Sequence, residues 1–214
     1  MPNYDFRAQH AALIVVDMQN AFVDPNYPLA TPDARSTVPG MNQLIQSCRE
    51  QKIPVIWLRM EFEHPDYRDA GLLQDILGSM AASLQAGQPG VEMYPELNWR
   101  KEDMTITKKR FSGFYQTNLE EHLKSQDIDT LIIVGTVLNV CCETTARDAF
   151  QRDFKVFFPI ELNTTRPHPD LGFGEFSTDE MTKAALTSLG SRFVQLIQAD
   201  HLRDIIHANR QYHQ

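Results

Sequence analysis

The feature that most constrains this chain is a set of short, almost unbroken apolar runs rich in β-branched residues, separated by longer stretches with helical periodicity. Runs such as AALIVV at 11–16 and LIIVG at 131–135 do not alternate polar with apolar residues. A strand with one wet face would place a polar side chain at every second position, so these runs read as strands covered on both faces. Strands are predicted over Ala12–Val16, Pro54–Leu58, Met104–Thr107, Leu131–Gly135, Lys155–Phe158 and Phe193–Ile197, of which the third is the least apolar. Helices are predicted over Pro39–Gln51, Phe114–Lys124, Cys142–Arg152, Glu175–Leu189 and Asp200–Asn209. Met41, Leu44, Ile45 and Cys48 form an apolar stripe on the first. Thr117 is a candidate cap for the second, and Glu143 can pair with Arg147 on the third. The strand–helix alternation predicts a single α/β domain spanning 1–214, with a doubly wound parallel sheet and helices on both faces.

Two segments break the rhythm. Residues 20–37 read as a long loop with Pro25, Pro28 and Pro32. Residues 62–101, with a short helix near Leu72–Leu77, are too long for a plain connection, so active-site walls, an oligomer contact, or both are expected there. The 20 Lys and Arg against 28 Asp and Glu give a net charge of -8, which argues against a broad nucleic-acid surface. The apolar runs fall well short of the ~20 residues that cross a bilayer. The opening MPNYDFRAQH lacks the charged and apolar regions of a secretory leader. Three cysteines, two of them adjacent, do not make a disulfide framework. A cytoplasmic protein with a small-molecule partner, and with neither membrane nor nucleic acid, is the expectation.

Open parallel α/β sheets bind ligands beyond the carboxyl ends of their strands. Three side chains stand there: Asp17 ends ALIVVD, Lys108 ends MTITK, and Cys141 follows LIIVG through TVLNV at the start of a helix. Unpaired N–H groups and the dipole at a helix N-terminus favour thiolate, and can also hold an oxyanion. The competing reading is a buried packing cysteine, which is the reading adopted for Cys142 and Cys48. Asp17 must face a cleft or find a partner, or else cap the backbone of the next loop. Gln19 and Asn20 offer amides there for orientation or substrate binding. Lys108 begins a basic run with Lys109 and Arg110 that reads equally as solvated surface; beside Asp17 and Cys141 it would favour both anions. His64 and His168, in proline-containing loops, are better placed to join a site than His122, His201, His207 or His213. Glu61, Glu63, His64 and Asp66 form a local acidic cluster, read as solvated loop rather than a metal site. The first strand runs into DMQN rather than a Gly-rich phosphate loop, and no metal or nucleotide cofactor is expected.

The blocks ALIVVDMQNAF, TKKRFSGFYQTNLEEHL and LIIVGTVLNVCCETTARDAF, in this order, resemble the isochorismatase-like cysteine hydrolases over about residues 11–198. The resemblance implies a six-stranded parallel sheet and places an aspartate, a lysine and a cysteine of catalysis on Asp17, Lys108 and Cys141. It implies a cis peptide at Thr136–Val137, whose neighbourhood, together with Cys141, would form the oxyanion hole. Substrate contacts are expected from Gln19, Asn20, Phe22, Arg110, Phe111, Leu138 and Asn139. Leu138 stands where the family often has threonine, which implies a more apolar pocket edge. Nicotinamidases of the family hold zinc through an Asp-x-His motif after the second strand; Arg59–His64 lacks it. The block KKRFSGFYQT is most similar to the ureide and carbamoyl hydrolases of the family, implying C–N bond hydrolysis. Cleavage of a vinyl ether and a catalytically silent scaffold remain as alternatives. Members are commonly oligomers, so a homodimer or homotetramer is expected. Thr165–Phe176, with Gly172 and Gly174, reads as either a mobile lid or a packed turn.

Overall fold

A computed structural model describes residues 1–208. The expectations for Asn209 and His213 lie outside the described residues. Among the described residues, seven strands all run parallel: β1 (Ala11–Val16), β2 (Val55–Met60), β3 (Met104–Lys108), β4 (Thr130–Thr136), β5 (Lys155–Pro159), β6 (Asn163–Thr164) and β7 (Gln195–Ile197). Six of them form the sheet in the order β3-β2-β1-β4-β5-β7; the two-residue β6 adds to the carboxyl end of β4. Chain direction across the sheet reverses between β1 and β4, which opens a crevice at their carboxyl ends.

The unbroken apolar runs have a direct cause. Along β1, Ala12, Ile14 and Val16 pack into one core and Ala11, Leu13 and Val15 into the other. Leu131 and Ile133 of β4 divide from Ile132 and Val134 in the same way. Seven helices are described: α1 (Asn20–Val23), α2 (Val38–Glu50), α3 (Leu73–Leu77), α4 (Leu119–Ser125), α5 (Glu143–Phe150), α6 (Thr178–Gly190) and α7 (Ala199–Ala208). α2 and α7 cover one face, with the stripe Met41, Leu44, Ile45 and Cys48 fully buried, and α4, α5 and α6 cover the other. Burying each large aliphatic side chain contributes roughly 1.5–3 kcal/mol, so doubly covered strands carry much of the stability. No helix among the described residues is long and apolar enough to cross a membrane.

Helix starts differ from the periodicity where tertiary contacts intervene. α4 begins five residues after Phe114, because Gly113 N–H donates to Thr145 Oγ1 (3.0 Å) and the Ser112 hydroxyl to Asp148 (2.6 Å), tying this stretch to α5. The N-cap position is Asn118, whose side chain makes no cap bond; the Thr117 hydroxyl accepts from Leu119 N–H (3.3 Å). α6 starts at Thr178 because Ser177 and Glu180 form a reciprocal capping box. Glu143 and Arg147 do pair, at 2.7 Å. The 20–37 segment is not all loop, since Asn20–Val23 makes a helical turn.

Candidate active site

The strand ends position the three post-strand residues. Asp17 leaves β1 with a left-handed backbone (φ 51°), a conformation aspartate tolerates better than most residues. Lys108 closes β3, two strands away, and its four-carbon stem spans the gap. Its Nζ donates to Asp17 Oδ2 (2.8 Å), to the Arg110 carbonyl (3.1 Å) and to Cys141 Sγ (3.6 Å), which engages all three of its protons. Both side chains of the ion pair are fully buried, at 0% exposure. Asp17 Oδ1 has no hydrogen-bond partner among the described residues.

Cys141 does not sit on a regular helix N-terminus. It lies within a widened, π-type turn over Leu138–Cys142 that leads into α5. Gly135 lets β4 reach this turn: its φ is +134°, and a Cβ there would stand 2.1 Å from Val16 O. The bond between Thr136 and Val137 is cis. Val140 N–H (3.0 Å) and Cys142 N–H (3.2 Å) both donate to Val137 O, so neither is free to hold an oxyanion.

The electrostatics run against a resting thiolate. Burial pushes the Cys141 thiol up, and the adjacent Asp17 carboxylate adds to this; Lys108 only partly offsets them. Burial also raises Asp17, against the lowering effect of Lys108, and a raised carboxylate is a better proton acceptor. Burial alone would lower Lys108, but Asp17 and Cys141 outweigh it and hold the ammonium charged. The resting site is therefore an Asp17–Lys108 ion pair beside a thiol that burial holds neutral.

Cys141 opens onto a cavity of about 230 Å³ whose walls are mostly apolar, among them Phe22, Leu29, Met60, Met80 and Phe111. Asp17 and Lys108 are not among the lining residues; they meet the sulfur from the protein side. Of the residues expected near substrate, Phe22, Phe111 and Val137 line this cavity. The others do not. The Gln19 amide is buried, accepting from Met60 N–H and donating to the Met60 and Val91 carbonyls. Asn20 donates to Pro89 O. Arg110 donates to the Asp69 and Lys109 carbonyls and lies against Gly71. Leu138 is core, so it is no pocket edge. Thr136 turns its hydroxyl to Thr31 (2.9 Å). Asn139 acts at one remove: it accepts from Thr165 and holds His168 (3.1 Å), and His168 lines the cavity.

Residues that sequence reasoning did not single out complete the walls: Leu29, Met60, Ile76, Leu77, Met80, Val140 and Arg166. Several fall in the two irregular segments, where no periodicity marks an inward face. Arg166 is half-buried, and burial lowers its pKa. Of the acidic cluster, Glu61 pairs with Arg59, Glu63 with Lys109, and Asp66 with Arg68, which also contacts His64. No group of three or more His, Cys, Asp or Glu among the described residues is arranged to hold a metal ion. The Thr165–Phe176 tract is closed by paired backbone bonds between His168 and Phe176, and Asp170 accepts from Gly172 and Gly174 N–H at its tip.

Comparison with known proteins places this geometry. The family model for the isochorismatase domain matches residues 11–201. The chain is 30% identical over 201 residues to nicotinamidase 3 of Arabidopsis thaliana, covering 93% of this chain and 90% of the relative. It is 30% identical over 178 residues to ureidoacrylate amidohydrolase RutB of Klebsiella pneumoniae, covering 73% of each. It spans about half the length of some other curated relatives, 46% and 57%. A cysteine hydrolase from Pseudomonas syringae pv. phaseolicola has the same fold at a TM-score of 0.93 and 31% identity, with 97% of both chains covered. With the family model running from β1 into α7, and with relatives at this level along nearly its whole length, the chain belongs to the isochorismatase family, among its cysteine hydrolases.

Proposed function

We propose that this enzyme hydrolyses an amide, ureide or carbamoyl C–N bond in a small molecule through an acyl-enzyme on Cys141. The observation that carries the reading is the buried contact of one ammonium with both a carboxylate and a sulfur that opens onto a cavity. Asp17 takes the thiol proton as the sulfur attacks the substrate carbonyl, so the S–C bond forms without a free thiolate at rest. Lys108 stays charged and stabilises the sulfur as it becomes anionic. It does not itself reach the oxyanion, because its protons are engaged. N–H groups of the Val137–Cys141 turn other than Val140 supply the oxyanion contacts, each worth on the order of 3 kcal/mol. Asp17 then protonates the departing nitrogen, the C–N bond breaks, and ammonia or an amine leaves. Water, deprotonated by Asp17, releases the acyl group from sulfur.

The name of the Klebsiella relative supports a ureide or related substrate. The retained cysteine and its base weigh against ether cleavage, which needs no nucleophilic thiol. Three cysteines, an odd and small number with two adjacent, support a cytoplasmic setting. The exposed side chains Leu72, Ile76, Leu171 and Phe173 support a homodimer or homotetramer. The test is Cys141→Ala with ammonia detection over a panel of ureides, carbamates and amides. Wild type is expected to release ammonia, and the variant to lose about 10³-fold or more with its melting temperature unchanged. Full activity in the variant, or turnover without ammonia or amine, refutes the reading.

A further inference from the structure

His168 stands on the wall of the cavity that holds the sulfur, among side chains that are mostly apolar. Its backbone is closely fixed. It lies between Pro167 and Pro169, and it exchanges two backbone bonds with Phe176: His168 N–H donates to Phe176 O (2.9 Å), and Phe176 N–H donates to His168 O (3.0 Å). The ring is held as well, because Nε2 lies 3.1 Å from the amide nitrogen of Asn139 on the nucleophile turn.

The place of the ring proton follows from a residue buried behind this contact. Thr165 is fully buried, and Asn139 Oδ1 is the acceptor that its hydroxyl meets among the described residues. Turning the Asn139 amide over would set N–H groups against that hydroxyl and leave a buried O–H without an acceptor. The Asn139 oxygen therefore stays on Thr165, and its nitrogen presents an N–H to the ring. Nε2 accepts that N–H, so the neutral ring carries its proton on Nδ1. Nδ1 makes no hydrogen bond among the described residues. A second proton, on Nε2, would meet the Asn139 N–H directly. This sets the kind of group the ring fits. An anion would draw a second proton onto the ring, which the Asn139 contact opposes, whereas an uncharged oxygen needs only the N–H that is already there.

Resting on the hydrolase reading above, we propose that His168 is a substrate-binding residue, donating from Nδ1 to an uncharged oxygen of the substrate away from the carbonyl that Cys141 attacks. The substrate class is then a small ureide or carbamoyl compound whose compact body carries an ether, hydroxyl or amide oxygen. Thr165 and Asn139 are positioning residues: neither lines the cavity, and they act by fixing the tautomer.

The test compares n-butylurea with 2-methoxyethylurea and 3-hydroxypropylurea, which keep the chain length and put oxygen in place of its third or fourth carbon. Binding is read by calorimetry on Cys141→Ala, where turnover is blocked, and KM and kcat on the enzyme with its cysteine. At least one oxygen-bearing urea is expected to bind about tenfold or more tighter than butylurea. Without a donor the order reverses, because burying an unpaired oxygen is costly. His168→Phe should abolish the preference, raising KM for the favoured urea at least tenfold with kcat within a few-fold. His168→Asn, whose amide nitrogen overlies Nδ1, should keep most of it. Thr165→Val removes no cavity group, yet it should mix the ring tautomers, read by nitrogen NMR, and weaken the preference severalfold. Binding of both oxygen-bearing ureas no tighter than butylurea, no binding of any of the three, a wild-type ring protonated on Nε2 at pH 8, or a preference that survives His168→Phe overturns the proposal. Should His168→Phe not fold, Thr165→Val decides: an unchanged tautomer or an unchanged preference overturns it. A preference in Cys141→Ala without release of ammonia or amine by wild type would keep the His168 contact and count against the hydrolase reading, so the two failures are separable.

Discussion

Replacing Lys108 with methionine removes the one cation in contact with Asp17 among the described residues and leaves the carboxylate in place, fully buried. Two unit charges 2.8 Å apart attract by about 6 kcal/mol at an effective dielectric near 20. Desolvation of both ions consumes most of that gain, so the intact pair adds little net stability. Removing one member is different, because the desolvation of Asp17 remains without its counter-charge; losses of about 3–5 kcal/mol follow at neutral pH. For a chain of 214 residues this lowers Tm by roughly 6–20 °C. The loss depends on pH in a definite direction. Asp17 is already raised above its usual 3.8 by burial, and without Lys108 it rises further. The native state of the variant then holds a proton that the unfolded chain gives up above 3.8, so stability falls as pH rises through that window and recovers as pH falls. Urea unfolding followed by the fluorescence of buried Trp57 at pH 5.0 and 7.5 reads this out. Lys108→Met is expected to be closer to wild type at the lower pH, and adding Asp17→Asn should restore most of the stability without restoring hydrolysis. A variant as stable as wild type at pH 7.5, or a deficit that grows on acidification, would refute the buried-pair reasoning.

Because burial and Asp17 hold the Cys141 thiol above the usual 9.0, iodoacetamide should alkylate it slowly at neutral pH, with the rate climbing throughout the range above pH 8; a rate that levels off below pH 7 would show a resting thiolate instead. Gly135→Ala forces a Cβ to 2.1 Å from Val16 O at φ +134° and should destabilise by on the order of 3 kcal/mol, read as a fall in Tm, which an unchanged melting curve would contradict.

The positions where the three groups meet were legible for a topological reason. Asp17, Lys108 and Cys141 each follow an apolar strand run, and in a parallel sheet every such position lies along one edge. Which way the neighbouring side chains turn was not legible. Gln19, Arg110 and Leu138 sit within two or three residues of that edge, yet they turn to Met60, to the Asp69 carbonyl and into the core. Phe22 and Phe111, from the same stretches, face the cavity. Loop residues have no period that marks an inward side, so this sorting depends on partners distant in the chain. The state of the sulfur follows the same logic. Helix-terminus reasoning from local sequence favours thiolate, but desolvation by the surrounding core dominates, and that core is assembled from every part of the sheet.

What the sequence determined by itself is the architecture and the edge of the sheet where chemistry would gather, because strand burial on two faces and the order of strand ends are written in local composition. Only the tertiary structure decided the walls of the cavity and the neutral thiol beside the buried ion pair. Each of these depends on the distances and the degree of desolvation that long-range packing imposes on side chains from separate segments.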